Sequence, residues 1–230
     1  MAGPAASSPV LGNFGLRVVS AAVLAPPVLA AVWVGSPWFD LLVVIAALLM
    51  LWEWDGLVRA APSRAAWRLG GLVYILVPCT FLAWLRADPE SGRLAIVWLF
   101  AVVWATDTGA YAFGRAIGGP RLAPAISPKK TWAGLIGGMV SAAAAGAAVI
   151  AFAGSDAMAG FAVAAGLIGG VSQSGDLFES WVKRRFGVKD SSNLIPGHGG
   201  LLDRVDGLLA AALALALIEI AGKGKVLPWP

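Results

Sequence analysis

The sequence predicts an all-α, polytopic integral membrane protein of about seven transmembrane helices with its N-terminus in the cytoplasm, and three observations carry that prediction. Of the 230 residues 59% are hydrophobic and the mean hydropathy is +0.79, too apolar for a water-soluble globule. The apolar residues fall into stretches that approach the ~20 helical residues needed to cross a hydrocarbon core. Charged residues make up 13% of the chain, against about 25% in an ordinary soluble domain, and they gather between the apolar stretches. One transmembrane domain over residues 1–230 is the expected unit, with the chemistry-bearing motifs at about 100–210.

The first span is Leu16–Val34. Pro26 and Pro27 at its centre predict a kink or a division into two short pieces, because proline lacks the helical N–H and crowds the preceding turn. Its length, and the spans that follow it, argue against a cleaved signal peptide. Trp38–Trp54 is the second span and Arg68–Leu85 the third. The third holds Cys79, the single cysteine, which excludes an intramolecular disulfide and a cysteine-rich metal site and reads as packing. Leu94–Phe113 is the fourth. Trp132–Gly154 and Met158–Glu179 follow, where Gly134, Gly137, Gly138, Gly146, Gly166, Gly169 and Gly170 predict close helix approach. Leu208–Ala221 is the last. Trp52, Trp54, Trp67, Trp98, Trp104 and Trp132 lie mostly near span ends and read as interfacial anchors. Met1–Pro9 and Gly222–Pro230 read as loosely held ends.

With the N-terminus in the cytoplasm, thirteen basic residues fall in cytoplasmic segments, and only Arg86, Arg93, Lys223 and Lys225 fall on the other side. That bias obeys the positive-inside rule and places both long polar loops, Gly114–Thr131 and Ser180–Asp206, in the cytoplasm. The net charge of +4 and pI near 9.6 therefore read as topology signals and anion contacts, and nucleic acid is not an expected partner.

The stretch Ser180–Asp206 crowds five basic and three acidic residues around His198, the only histidine. Upstream of it, Asp176, Ser180 and Lys183 stand at i, i+4 and i+7, on one helix face. Asp176 lies inside a span, so its carboxylate implies a cation or a basic partner; a structural pair with Lys183 is the plainer alternative. Pro196-Gly-His-Gly-Gly200 is a turn that lets backbone approach a ligand, and it feeds Asp203-Arg204-Val205-Asp206 at the start of the last helix. Carboxylates there also suit the helix dipole. His198 is either a satisfied loop histidine or a hydrogen-bond donor to phosphate. Oxygen donors such as Asp176 and Asp203 suit Mg²⁺ far better than Zn²⁺. In Ser127-Pro-Lys-Lys-Thr131, Lys129 and Lys130 are either topology residues or, with Ser127, a phosphate-binding rim. Asp107, a second carboxylate inside a span, either pairs with Arg115 or joins the site.

Together these residues resemble the phosphatidate cytidylyltransferase (CDP-diacylglycerol synthase) family. The likeness runs through Ser180, Lys183-Arg184, Lys189-Asp190, Ser192, Ile195-Pro196, His198-Gly-Gly200, Asp203-Arg204 and Asp206, and through Asp107-Thr-Gly-Ala-Tyr-Ala-Phe-Gly-Arg115 and Ser127-Pro-Lys-Lys-Thr-Trp132. Ala133 departs from it, where many relatives carry glutamate.

The resemblance implies transfer of a cytidylyl group from CTP to phosphatidic acid at the cytoplasmic face of a bacterial inner membrane, releasing pyrophosphate, and it suggests a homodimer. It implies Asp176, Lys183 and Asp203 as catalytic residues, with Asp176 and Asp203 binding Mg²⁺ and a second cation as a further option. Ser180, Ser127, Lys129, Lys130, Arg184, Lys189, His198 and Arg204 would bind substrate. Asp107, Asp190 and Asp206 would support them, Asp190 and Asp206 either as metal ligands or by orienting cations.

Two rivals fare worse. A CDP-alcohol phosphotransferase opens with Asp-Gly-x-x-Ala-Arg, and here Asp206-Gly207 is followed by Leu-Leu-Ala-Ala. A cation transporter would suit Asp107 and Asp176, but the sequence shows no repeated halves.

Overall fold

The computed structural model describes residues 10–197, 199–223 and 227–230. Met1–Pro9 and His198 lie outside the described residues. Among the described residues seven helices run in order: α1 (Val10–Val34), α2 (Trp38–Leu57), α3 (Arg64–Ala87), α4 (Gly92–Ala116), α5 (Trp132–Phe152), α6 (Met158–Arg185) and α7 (Leu202–Ala221). Three of them, α3, α4 and α5, are long and apolar enough to cross a membrane on length and composition. The expected division at Pro26-Pro27 into two short pieces is corrected, because α1 runs as one helix through both prolines. The fixed φ of proline is compatible with the helix, even though two ladder hydrogen bonds are lost.

The helical expectation holds for most of the chain, with one addition between α4 and α5. The segment read as a loop carries an antiparallel pair, β1 (Arg121–Ala123) with β2 (Ser127–Thr131), in which Arg121 opposes Thr131 and Ala123 opposes Ser127. Three prolines and two glycines between 118 and 128 mask so short a hairpin in the sequence. Thr131 then caps α5, its hydroxyl accepting from Gly134 N at 3.0 Å.

The helices α4, α5, α6 and α7 pack in sequence, and α3 lies against α2, α4 and α7. Lipid tails give helices no hydrophobic reason to associate, so close van der Waals contact must do it. Small residues supply that contact. A Cβ on Gly134 would stand 2.8 Å from the Ala110 carbonyl, one on Gly138 would stand 2.9 Å from that of Thr106, and one on Gly137 would enter the Phe113 ring. Gly146 meets Ala165 and Trp98, and Gly169 meets Thr106. At Gly166 and Gly170 the neighbours stand at ordinary contact distance.

Two tryptophans expected at interfaces belong to the core. Trp98 is fully buried and donates to Gly146 O at 3.1 Å, and Trp54 is buried and donates to Trp67 O at 2.8 Å. Trp52, Trp104 and Trp132 keep the exposed positions expected of them. The C-terminal tail is likewise not loose where it is described. Leu227 is buried, Trp229 packs its ring 4.8 Å from Phe161 and 5.7 Å from Trp98, and its indole donates to Glu219 Oε1 at 3.0 Å. Cys79 is buried packing, as expected.

Alternating helices bring the C-terminal ends of α2, α4 and α6, the N-terminal ends of α3, α5 and α7, and the hairpin to one end of the bundle. An apolar cavity of about 620 Å³ lies between α1, α2 and α7 below that end, roofed by Leu194, Ile195 and Pro196.

Candidate active site

The charged residues separate into two linked groups. In the first, Lys130 of β2 reaches across to α6. Strand alternation leaves Lys129 exposed and turns Lys130 inward, where its Nζ lies 2.8 Å from Asp176 Oδ2 and donates to Gln173 Oε1 at 3.0 Å. The Gln173 amide nitrogen donates to Asp107 Oδ1 at 3.1 Å, so one buried glutamine ties α4, the hairpin and α6 together. Asp107 therefore joins the site, while Arg115 donates to the Tyr111 hydroxyl instead. Ser180 donates to Asp176 Oδ1 at 3.2 Å, one turn along the same helix face.

In the second group Lys183 sits between two carboxylates. Its Nζ is 2.6 Å from Glu179 Oε2 and 2.5 Å from Asp203 Oδ1. The suggested Asp176–Lys183 pair does not form, because each has taken a different partner. Asp203 Oδ2 accepts from Ser191 N, Ser191 Oγ and Gly200 N, each at 2.8 Å. Asp203 is thus engaged through both oxygens and binds the signature loop to α7. Ile195 and Gly199 exchange two backbone hydrogen bonds that close the turn between them. Gly197 and Gly199 have φ of +76° and +86°, backbone that glycine adopts at least cost.

The remaining expected residues spread around this core. Arg184 is exposed at the end of α6 and donates to Val188 O at 2.8 Å, tying the start of the loop back to the helix. Lys189 and Asp190 are exposed on the loop. Arg204 is exposed and within electrostatic range of Asp107. Ser127 is half-buried opposite Ala123 in the hairpin. Asp206 lies within electrostatic range of Asp176 and Glu179, and the α6 backbone at Gly175 passes directly over it.

Sequence reasoning missed Gln173, Glu179, Ser191 and Glu53. Gln173 and Glu179 stand three residues before and after Asp176, at helical spacing that announces a shared face. Glu53 of α2 carried no such signal. It accepts from Ser192 Oγ, Leu201 N and Leu202 N at 2.6–2.8 Å.

The donors fit a hard divalent cation in chemistry: they are carboxylate oxygens, and Glu179 Oε1 is buried with no hydrogen-bond partner. Among the described residues no three carboxylate, histidine or cysteine side chains are gathered as a ready-made cage. Mg²⁺ is commonly held by one or two carboxylates with substrate phosphates completing its shell. Asp176 would have to release Lys130 or Ser180 and Asp203 its own donors to take a cation, and Asp206 lies within electrostatic range of Asp176.

Such an end of the bundle can gather polyanions: Lys130 and Lys183 stand among carboxylates, exposed Lys129, Lys189 and Arg204 lie around them, and the apolar helices begin directly beside them. Residues 63–220 match the model of the cytidylyltransferase family. A protein from Brucella suis biovar 1 (strain 1330) named phosphatidate cytidylyltransferase is 40% identical over 252 aligned residues, covering 90% of this chain and 93% of that relative. Rickettsia bellii (strain RML369-C) and Rickettsia prowazekii (strain Madrid E) have proteins of the same name, 37% and 36% identical, each covering 90% of this chain and 91% and 92% of theirs. With the motifs gathered at one end of the bundle, and the match reaching well over half its length, the chain belongs to the cytidylyltransferase family.

Proposed function

We propose that the protein is a phosphatidate cytidylyltransferase, a nucleotidyltransferase of phospholipid biosynthesis that converts CTP and phosphatidic acid to CDP-diacylglycerol and pyrophosphate. The linked pairs Lys130–Asp176 and Lys183–Asp203, at the mouth of an apolar bundle, carry this reading. Relatives that bear that name, matched over 93% and 91% of their length, support it.

A phosphate oxygen of phosphatidic acid attacks the α-phosphorus of CTP; the new P–O bond forms as the bond to the β-phosphate oxygen breaks, and pyrophosphate departs. A phosphate monoester is already an anionic nucleophile near neutral pH, so no strong general base is needed. The protein has to bring two anions together and stabilise charge at the reacting phosphorus. Lys130 can leave Asp176 for a phosphate oxygen, with Gln173 holding it near. Ser180, Lys129, Lys189 and Arg204 line the approaches. Mg²⁺, held by Asp176 and Asp206 with phosphate oxygens, would neutralise charge on the triphosphate. Asp203 acts through Lys183 and the loop.

The seven helices are read as seven spans with the N-terminus and the site in the cytoplasm of a bacterial inner membrane, since the basic residues favour that side. A homodimer is part of the same proposal. Purified protein given labelled CTP, phosphatidic acid and Mg²⁺ should yield labelled CDP-diacylglycerol. Well-folded protein that yields none refutes the reading. Ser192→Cys in a Cys79→Ala background should resist an impermeant thiol reagent applied outside intact cells, and labelling there overturns the orientation.

A further inference from the structure

Glu53 is almost wholly buried, 1% exposed, and sits upstream of the residues the family model matches. The N-cap of α7 is Leu201, whose side chain cannot accept a hydrogen bond. The first two N–H groups of the helix start, those of Leu201 and Leu202, are met instead from α2. Glu53 Oε1 accepts from Leu201 N at 2.8 Å and from Ser192 Oγ at 2.6 Å, and Oε2 accepts from Leu202 N at 2.7 Å. Asp203 grips the other side of the loop through Ser191 and Gly200. Gly200 passes between the two carboxyls: a Cβ there would run into Ser191 Oγ and stand 2.5 Å from Glu53 Oε1. Three donors from two parts of the loop therefore converge on one side chain of a distant helix.

We propose that Glu53 is a positioning residue for the nucleotide: it fixes Ser192 and the first turn of α7 so that Lys189, Asp190 and Arg204 are presented in register with Asp176 and Lys183. This rests on the reading given under Proposed function. The hairpin and the Asp107–Gln173–Lys130 link do not touch Glu53, so its influence falls on the loop side of the site alone.

The test uses the full chain in lipid nanodiscs, with Glu53→Gln as the main variant because it keeps shape and one acceptor oxygen while offering N–H to N–H at the second. Loss of a buried acceptor should raise KM for CTP about tenfold, with KM for phosphatidic acid unchanged. Amide exchange at Leu201 and Leu202 should quicken while α4 and α5 stay protected. Glu53→Ala should go further in both. Wild-type KM for CTP and wild-type exchange in folded Glu53→Gln overturn the proposal. So does a parallel fall for both substrates that tracks loss of folded protein, which marks Glu53 as merely structural. Exchange and calorimetric CTP binding require no turnover; a wild type that makes no CDP-diacylglycerol sinks the functional reading, whereas unchanged exchange and CTP affinity in Glu53→Gln sink the positioning role separately.

Discussion

Replacing Lys183 by methionine tests whether the second charged group is a keystone or only a substrate contact. The side chain is 10% exposed, and its two partners Glu179 and Asp203 are 1% and 4% exposed. Methionine keeps most of the volume and removes the charge, leaving two carboxylates buried side by side. Removing one partner of a buried ion pair costs about 3–5 kcal/mol, chiefly through the charge left behind. At roughly 2–4 °C of melting temperature per kcal/mol for a chain of this size, Lys183→Met should melt about 6–20 °C below wild type. Thermal unfolding in detergent, followed by intrinsic fluorescence with size-exclusion controls, gives the shift. Adding Glu179→Gln removes one orphaned charge and should recover a substantial part of the loss, a coupling a double-mutant cycle reads directly. A Lys183→Met protein melting within about 2 °C of wild type would refute the reasoning, since that is less than the shift expected for 1 kcal/mol.

Lys130→Met should lower CDP-diacylglycerol formation at least about tenfold with little change in stability, because the residue pairs with a carboxylate that is one-third exposed; steady-state kinetics beside melting curves check both. Gly137→Val should prevent α4 and α5 from closing, since even a Cβ would enter the Phe113 ring, and fluorescence-detected size exclusion should show little monodisperse protein. Trp229→Ala should destabilise the bundle by about 3 kcal/mol through loss of ring packing and of the bond to Glu219, seen as a lower melting temperature. Asp88 follows α3 and accepts from the amides of Ser91 and Glu90 and from the Ser91 hydroxyl, which hold its carboxyl below the usual range. Its contribution is present above the unfolded-state pKa and disappears as pH falls through the lowered value, so Asp88→Asn should flatten the acid limb of a stability profile.

The helices were legible because apolar runs of the right length leave few alternatives, and Asp176, Lys183 and Asp203 were legible because charge is rare in such a chain. Pairing was not. Asp176 and Lys183 share a face, yet each found a partner from another element, Lys130 of the hairpin and Asp203 of α7; spacing along one helix cannot report what a second helix brings. Trp54 and Trp98 misled for a related reason. A position near a span end predicts an interface only if no neighbour covers it, and Trp67 O and Gly146 O are covering acceptors supplied by the fold. Glu53 was invisible because the feature that calls for it, a helix start capped by leucine, lies 148 residues away.

One face of α7 carries Asp203, Asp206 and Gly207 toward α6, while Leu201, Val205 and Leu209 line the apolar cavity on the opposite side. The helix is a dividing wall with unlike media behind its two surfaces, and its register fixes which surface meets which. Each added or deleted residue turns a helix by about 100°. A one-residue insertion after Asp203 would carry Asp206 into the place of Gly207, where even a Cβ would stand 2.6 Å from Ser172 Oγ of α6, and would put the aliphatic Val205 where Asp206 now stands. Another apolar residue of like volume in place of a leucine keeps this division between the two surfaces, whereas a change in the length of the wall's first turns destroys it.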